Sequence, residues 1–434
     1  MLLEFSCKNF RSFRNESTLS MLPVNAYGEH PENLIPVVPV GSNADGVLSA
    51  AAIFGANASG KSNLLRAFGF ARSAVSSSRF GAEGVKMEHF VGDDSPAMFA
   101  FSILVDGTRY AYRFSIDASG VCAEELKVRP KGERLVYSRT RSADGAYVVK
   151  QGSFYRGIEV KLRGFSGNGL VLGLLADFGV DDCERVWKWF DGKLVVRGGE
   201  HEIDPPELVA KLKSLGEDSF VKAVDAVKTA DLGITGAQLS VVDITQSERE
   251  RNERVLTDRL RAVFEALGGN ADDFRVPEGE FPGSRVVFQF QHLIGGNRIG
   301  FGLEDESLGT VTMLDLAADC IDAIEGGKVL VIDEIERSLH PLLLRKLVEL
   351  FSDRELNAFG AQLIFTTHYM GLMSDGSLRR DQIWFVEKDR STGESELYPL
   401  SSYSPRKDDD VEGRYLRGTY GAVPYIGGRL VRDE

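Results

Sequence analysis

The sequence predicts an α/β fold in which a mixed sheet with flanking helices carries the phosphate-binding loops. An antiparallel β lobe accompanies this sheet, and a mostly helical insertion interrupts the chain. Three observations support this prediction. A glycine-rich loop at 55–62 separates an apolar run from a helical pattern, a second apolar run ends in two carboxylates at 333–334, and a third ends in a histidine at 368. Buried strands that deliver polar groups at their carboxyl ends are typical of parallel sheets, which gather those groups at one edge.

The glycine-rich loop reads GANASGKS and has the P-loop spacing G-x-x-x-x-G-K-[ST]. Its backbone N–H groups would form an anion-binding nest, and the helix after it adds its positive N-terminal end. Lys61 can reach the β- and γ-phosphates of a nucleotide, and the Ser62 hydroxyl can ligate Mg²⁺. The alternative is a chance glycine loop in a chain with 46 glycines. The predicted nucleotide-binding residues are Gly55, Ala56, Asn57, Ala58, Ser59, Gly60, Lys61, Ser62 and Asn63.

Composition limits the class of protein. The 434 residues are 43% hydrophobic and 26% charged, as in a globular chain of two or three domain-sized units. No apolar run approaches the roughly 18 to 20 residues of a membrane span, and the first residues lack the features of a signal peptide. Four scattered cysteines indicate reduced core residues, so we expect a cytoplasmic protein without a membrane partner. The net charge of −13 gives no support to attraction of the whole molecule to DNA, although a local basic groove stays open.

The order of strand-like and helical patterns predicts three segments. Residues 1–154 would form the N-terminal half of the nucleotide-binding head, with the P-loop and an antiparallel β lobe. In that lobe, FAFSILVDGTRYAYRFSI at 99–116 indicates a hairpin with an Asp-Gly turn. Residues 155–285 have mostly helical spacing and would form the insertion. Residues 286–434 would form the C-terminal half of the head.

A highly charged helix is predicted at 246–267, ending at Gly268-Gly269. Its acidic and basic residues interleave, which favours a solvated helix face and weakens a DNA-binding interpretation. A surface for a partner protein or a nucleic acid is the alternative.

The second apolar run, VLVI, ends in Asp333-Glu334. Asp333 would hold Mg²⁺, directly or through water. Glu334 stands one residue further on, where it could polarise an attacking water as general base. An exposed acidic turn after a core strand is the alternative.

The third apolar run ends in Thr366-Thr367-His368. A histidine at a strand end that faces a γ-phosphate can sense it by hydrogen bonding. Such a histidine is usually structural when it stands alone, but here it follows the other two elements in order.

The segment Ser307-Leu308-Gly309-Thr310 opens a helical pattern ahead of the Asp-Glu strand. A small hydroxyl and a glycine at a helix N-terminus form another phosphate-binding device. Because the P-loop of the same subunit is already complete, the natural ligand of Ser307, Gly309 and Thr310 is the γ-phosphate held by a second subunit. The alternative is an ordinary serine cap on a core helix.

Together, NFRSF, GANASGKS, ESLGT, VLVIDEIERSLHP and LIFTTH resemble the ABC-type ATPases of the SMC and RecF branch. More narrowly, the chain resembles the compact bacterial AAA-ATPase-like proteins related to the OLD (overcoming lysogenisation defect) ATPases. The tail, with RRDQIWFVEKD and GRYLRGTYGAVPYI, resembles the RloA-like and PARIS-type defence ATPase subunits of that group. The resemblance covers roughly residues 1–150 and 285–425.

This resemblance implies a P-loop NTPase head of ABC type, split by the insertion, with ATP and Mg²⁺ as cofactors. It implies a homodimer, or a higher homo-oligomer, that closes head to tail around two ATP molecules. Lys61, Glu334 and His368 would serve catalysis, and Arg11 and Ser12 would touch the nucleotide. It further implies a role in anti-phage defence beside a separate effector, a nuclease or a toxin.

Three departures from the family pattern bear on mechanism. The glutamine loop that usually follows the first helix is absent, because no Gln occurs between Asn63 and Lys150. The D-loop position reads Ser-Leu-His-Pro at 338–341 rather than the common aspartate form, and the signature segment lacks the second glycine of its commonest version. Hydrolysis is therefore expected to be slow.

A RecF-like DNA-repair or DNA-binding ATPase is the main alternative, and nucleic acid stays open as a partner. A self-sufficient nuclease is disfavoured because little sequence follows Tyr420, and a GTPase because no Asn-Lys-x-Asp motif is present. The absence of a long coiled coil argues against SMC-like clamping.

Overall fold

The computed structural model describes residues 1–37, 46–79, 87–130, 132–162, 169–198, 203–230, 233–266, 284–337 and 339–424. The chain forms two compact units. The first contains Met1–His201 and Asp319–Glu434, and the second contains Glu202–Ala318.

The strands of the described residues are β1 (Leu2–Lys8), β2 (Ser17–Ser20), β3 (Leu34–Pro36), β4 (Gly46–Leu48), β5 (Ala50–Phe54), β6 (Ala97–Val105), β7 (Thr108–Asp117), β8 (Gly120–Arg129), β9 (Arg134–Arg141), β10 (Tyr147–Gln151), β11 (Leu194–Arg197), β12 (Ile234–Asp243), β13 (Ser284–Ile294), β14 (Asn297–Phe301), β15 (Val329–Ile332), β16 (Gln362–Thr366), β17 (Ile383–Lys388) and β18 (Ser395–Pro399). The α-helices of the same residues are α1 (Lys61–Ser76), α2 (Ile158–Lys161), α3 (Leu172–Asp177), α4 (Asp181–Gly192), α5 (Pro205–Ser214), α6 (Glu217–Ala230), α7 (Gln246–Ala266), α8 (Leu308–Gly326), α9 (Pro341–Ser352) and α10 (Val411–Leu416).

A six-stranded, mostly parallel sheet forms the centre of the first unit, in the order β11-β15-β16-β5-β17-β18. Strands β11, β15, β16, β5 and β17 run parallel to their neighbours, and β18 joins the edge antiparallel to β17. Every residue of β5, β15 and β16 is buried. Helix α1 contacts β11 and β15, and helix α9 contacts β5 and β16, so these strands are packed against helices, which explains their continuous apolar runs.

The second sheet of this unit is the antiparallel lobe, in the order β10-β9-β8-β7-β6-β1-β2. The predicted hairpin is present as β6 and β7, and its turn residues Asp106 and Gly107 have φ values of 49° and 73°. Two positive φ values are what a tight hairpin turn needs, which explains the Asp-Gly pair. Helix α1 packs against this lobe through Phe68, whose ring centroid lies 3.8 Å from that of Phe5.

The second unit combines helices α5, α6 and α7 with the antiparallel sheet β12-β13-β14. Its core includes Phe288 and Phe290 from β13, whose rings meet edge to face at 4.7 Å between centroids. The charged helix predicted at 246–267 is α7, and the glycines at 268–269 lie outside the described residues.

The predicted α/β fold, with a mixed sheet, flanking helices and an antiparallel β lobe, is confirmed. The compact units nevertheless differ from the predicted segments, since the second unit spans Glu202–Ala318 instead of 155–285. Helix α4 belongs to the first unit because its Phe190 packs on Phe101 of the antiparallel lobe, 4.8 Å between ring centroids. The second unit also contains the strands β12 and β13 beside its helices.

Candidate nucleotide-binding site

Three neighbouring strand ends bring the predicted site residues of the first unit together. β16 lies between β15 and β5, with Phe365 opposite Ile332 and Thr366 opposite Ile53. The P-loop follows β5, the two carboxylates follow β15, and the histidine follows β16. Because these strands are parallel, all three groups stand at the same edge of the sheet, as the sequence predicts.

The P-loop is supported by Ser395, the first residue of β18. The Ser395 hydroxyl donates to the Ser59 carbonyl at 2.6 Å, and its N–H donates to the Ser12 carbonyl at 2.7 Å. Gly60 has φ 114°, and a Cβ atom there would overlap the Ser395 hydroxyl. Only glycine therefore fits at the turn into α1. The sequence gives no motif around Ser395 that marks this role.

Lys61 is the first residue of α1 and is 6% exposed. Its Nζ donates to the carbonyl oxygens of Gly55 at 2.8 Å and Ala56 at 3.0 Å, so the ammonium lies across the loop. Burial lowers the pKa of Lys61, and the carboxylates of Asp333 and Glu334 act in the opposite direction. The Lys61 ammonium therefore lies beside the loop that the sequence predicts to bind phosphate.

Asp333 and Glu334 are joined through the hydroxyl of Thr366. Thr366 Oγ1 donates to Asp333 Oδ1 at 2.6 Å and accepts from the Glu334 N–H at 2.7 Å. Thr366 is fully buried, so this bridge is shielded from water. Glu334 has φ 49°, a left-handed conformation that is uncommon for a non-glycine residue and turns its side chain away from the strand line. Glu334 is exposed, and Asp333 is half-buried.

We expect Thr366→Val to lower the rate of Mg²⁺-dependent ATP hydrolysis by about 10- to 100-fold, the usual cost of removing a partner that orients a metal-ligating group. Valine keeps the shape of threonine but loses both the donor to Asp333 and the acceptor for the Glu334 N–H. Steady-state hydrolysis at several Mg²⁺ concentrations checks this, with Thr366→Ser as the control that retains the hydroxyl. A folded Thr366→Val protein with the wild-type rate would show that the bridge is unimportant.

His368 follows β16, and its backbone N–H donates to Glu336 Oε1 at 2.5 Å. The pKa of His368 is lowered, first by burial and then by repulsion from Lys61. The imidazole is consequently neutral over more of the physiological pH range, and one ring nitrogen can donate a hydrogen bond while the other accepts. Its role as a γ-phosphate sensor stays a prediction.

Arg11 and Ser12 lie against the first turn of α1. Asn63 Nδ2 donates to Ser12 Oγ at 2.8 Å, and Arg11 Nη1 contacts Asn63 Oδ1 at 3.4 Å. Arg11 also forms an ion pair with Glu88 at 2.6 Å. Both residues are thus next to the P-loop, and their contact with a nucleotide stays a prediction.

The residues present fit Mg²⁺-ATP. A groove of about 840 Å³ is lined by Ser62 and Asp333, which would hold the metal ion through oxygen ligands, the kind that Mg²⁺ prefers. Glu334, Arg11 and Glu88 line the same groove. Within the described residues, the buried Ser59 Oγ in the phosphate loop has no hydrogen-bond partner, so one polar atom there is available to a ligand. A second cavity, of about 1410 Å³, borders the other side of the loop and His368.

The predicted signature residues belong to the second unit. Ser307 precedes α8, and its Oγ accepts from the Thr310 N–H at 3.1 Å and lies 2.8 Å from Thr310 Oγ1. This is the geometry of a serine cap. Ser307 is nevertheless exposed, Leu308 is 68% exposed, and Gly309 is half-buried. Action of Ser307, Gly309 and Thr310 on a nucleotide stays a prediction.

The described residues contain no group of three or more His, Cys, Asp or Glu side chains arranged to hold a metal ion. Among them, no helix has the length and apolar character needed to cross a membrane. All four cysteines are free thiols, as expected from their scattered positions.

Comparisons with known proteins give one family match and several similar solved structures. The sequence matches the family model described as "AAA domain, putative AbiEii toxin, Type IV TA system" over residues 50–151 and 218–374. The structure is similar to an SMC head bound to the C-winged helix domain of ScpA, with 12% identity and a TM-score of 0.46, over 93% of this chain and 99% of that chain. It is also similar to the SMC head domain from Thermotoga maritima, with 13% identity and a TM-score of 0.41, over 92% and 98% of the two chains. None of the curated proteins matches this sequence.

Proposed function

This chain belongs to the family described as "AAA domain, putative AbiEii toxin, Type IV TA system", and on that premise we propose that it binds and hydrolyses ATP as an ABC-type ATPase and thereby controls a separate effector. One observation carries the proposal. The P-loop, the pair Asp333–Glu334 bridged by Thr366, and His368 follow three adjacent strands of one sheet. A phosphate-binding loop, an oxygen ligand for a metal ion and a candidate base then lie at the same edge of the six-stranded sheet.

The roles of the residues follow from their chemistry. Lys61 neutralises charge on the β- and γ-phosphates, and Ser62 with Asp333 holds Mg²⁺, which supplies further charge neutralisation when bound. Glu334 polarises the attacking water, since its carboxylate is exposed at the groove while its backbone is fixed by Thr366. His368 donates a hydrogen bond toward the γ-phosphate.

We further propose that two subunits close around two ATP molecules, with Ser307 and Gly309 of each acting on the nucleotide of the other. The exposure of Ser307 and Leu308 at the start of α8 supports this, because an ordinary core-helix cap would not need to be accessible. Closure on ATP and opening after hydrolysis would give the protein two states that a partner can distinguish.

The proposed partner is a separate nuclease or toxin that acts in anti-phage defence. The family description names a toxin and a type IV TA system, which supports a place in a system of several proteins. The likeness of the tail to RloA-like and PARIS-type ATPase subunits points in the same direction. This part of the proposal predicts that the ATPase without its effector neither cleaves nor modifies nucleic acid.

Mixed dimers test the ATPase function and the dimer together. Lys61→Ala and Ser307→Arg should each give an inactive homodimer, because each removes one half of both composite sites. Random exchange produces up to about half mixed dimers, each with one intact site of two, so hydrolysis should recover to roughly a quarter of the wild-type rate at most. The measurement is ATP hydrolysis after mixing, with ATP-dependent dimerisation followed in parallel.

Background hydrolysis in mixtures that demonstrably contain mixed dimers would contradict the shared site. A wild-type protein that neither binds nor hydrolyses ATP would contradict the function itself. Each variant mixed with itself is the matched control, because it undergoes the same exchange without creating an intact site.

A further inference from the structure

Strand β11 ends beside the nucleotide groove and is fixed to the carboxylate that we assign to Mg²⁺. Its last residue, Arg197, is in register with Ile332, and its carbonyl accepts a hydrogen bond from the Asp333 N–H at 3.1 Å. The next residue, Gly198, lines the groove together with Ser62 and Asp333. A shift in the backbone of Asp333 therefore moves the backbone of Arg197.

The side chain of Arg197 reaches a different element, α8. Its Nη1 lies 2.5 Å from Oδ2 of Asp319, and the two side chains are only 12% and 16% exposed. Opposite charges at this distance and this degree of shielding attract each other more strongly than an exposed surface pair does. Arg197 thus links the end of strand β15 to α8, which begins directly after Ser307 and carries Gly309 in its first turn.

Helix α8 forms a second ion pair one turn earlier, on the same face as Asp319. Asp315, four residues before Asp319, is 1% exposed. It forms an ion pair with Lys211 of α5, with 2.5 Å between Lys211 Nζ and Asp315 Oδ1. Residues four apart lie one above the other on a helix. Asp315 and Asp319 therefore each form an ion pair with a basic residue of another element, Lys211 of α5 and Arg197 of β11.

We propose that Arg197 is a positioning residue that couples occupancy of the nucleotide groove to the placement of Ser307 and Gly309, through its ion pair with Asp319 on α8. The inference rests on the proposed function and deepens it. It assigns a coupling element to a chain that has no glutamine between Asn63 and Lys150. A packed strand end, an ion pair and a rigid helix are the kind of contiguous parts that carry coupling between distant sites.

Asp319→Asn tests the coupling, because it removes the charge and keeps the shape of the side chain. We expect the affinity for a fluorescent ATP analogue to stay near the wild-type value. The rate constant kcat and ATP-dependent dimerisation should each fall by about five-fold or more, the lower end of couplings between sites. The matched control is Asp117→Asn, which breaks an ion pair with Arg141 of similar exposure in the antiparallel lobe and should change neither quantity.

A second measurement separates coupling from a merely structural role. Hydrogen exchange is recorded with and without a non-hydrolysable ATP analogue in Ser307→Arg, which cannot close the composite site. Binding should protect residues 194–198 and 319–326 together. With Asp319→Asn added, protection should persist at 194–198 and be lost at 319–326. Protection of the P-loop alone in Ser307→Arg would overturn the inference, even if the Asp319→Asn protein proves unstable.

The failures of the two proposals are distinguishable. A wild-type protein that does not bind or hydrolyse ATP contradicts the proposed function. A wild-type protein that does both, together with an Asp319→Asn protein of equal kcat and equal dimerisation, contradicts the coupling and leaves the ATPase function intact. An Asp319→Asn protein that loses ATP affinity to the same extent as kcat also contradicts it, because a positioning residue for α8 should spare binding at the P-loop.

Discussion

Replacing Lys61 by alanine is expected to abolish ATP binding. Lys61 is 6% exposed and its ammonium donates to the carbonyls of Gly55 and Ala56, so the loop holds a cation beside its own anion nest. Without it, the β- and γ-phosphates would enter a groove bordered by the carboxylates of Asp333 and Glu334. Calorimetric titration with Mg²⁺-ATP checks this.

Lys61→Arg is the informative companion. It retains the charge but brings a larger planar group into a buried position, so we expect weakened binding and not its complete loss. Thermal unfolding of both variants controls for misfolding. If the folded Lys61→Ala protein bound ATP as the wild type does, the phosphate would have to lie elsewhere in the molecule.

Glu334→Gln is expected to bind ATP and to hydrolyse it about 10² to 10⁴ times more slowly, the usual cost of removing a general base. Glutamine has the shape of glutamate and leaves the backbone bond to Thr366 intact, so the groove should keep its geometry. ATP-dependent dimers should then accumulate, because closure is no longer followed by hydrolysis. Single-turnover hydrolysis and size-exclusion chromatography with ATP measure the two effects.

The matched control is Glu336→Gln, two residues further on. The Glu336 carboxylate accepts from the His368 N–H, and the glutamine carbonyl can accept the same bond. The control therefore removes a neighbouring charge without removing the assigned base, and its hydrolysis should fall far less than that of Glu334→Gln. Hydrolysis by Glu334→Gln at the wild-type rate would show that another group activates the water.

Much of the site could be predicted because its signals are local in sequence. Each of β5, β15 and β16 is a short apolar run followed at once by the polar group that it delivers. Parallel pairing then collects these groups at one edge without any further information. The Asp-Gly turn between β6 and β7 was predictable for the same reason, since both residues tolerate positive φ.

The remaining features depend on pairs of residues that are distant in sequence. Nothing near Ser395 indicates that its hydroxyl supports the Ser59 carbonyl, and nothing near Arg197 indicates Asp319. Thr366 lies at a strand end that the sequence predicts. Its bridge to Asp333 can be predicted only when the register between β15 and β16 is known. Helical spacing at α4 likewise indicates a helix and cannot show that the helix packs on the antiparallel lobe. The extent of the second unit was therefore not predictable.

The order of the central sheet has a consequence for the synthesis of the chain on the ribosome. Strand β5 carries the P-loop near the N-terminus, yet its neighbours in the sheet are β16 and β17, and the loop rests on Ser395. These partners emerge only after the whole second unit has been translated. Contacts of such long sequence separation form slowly. We therefore expect that a nascent or prematurely ended chain does not bind nucleotide, so partial products of translation would be excluded from the proposed ATP-dependent cycle.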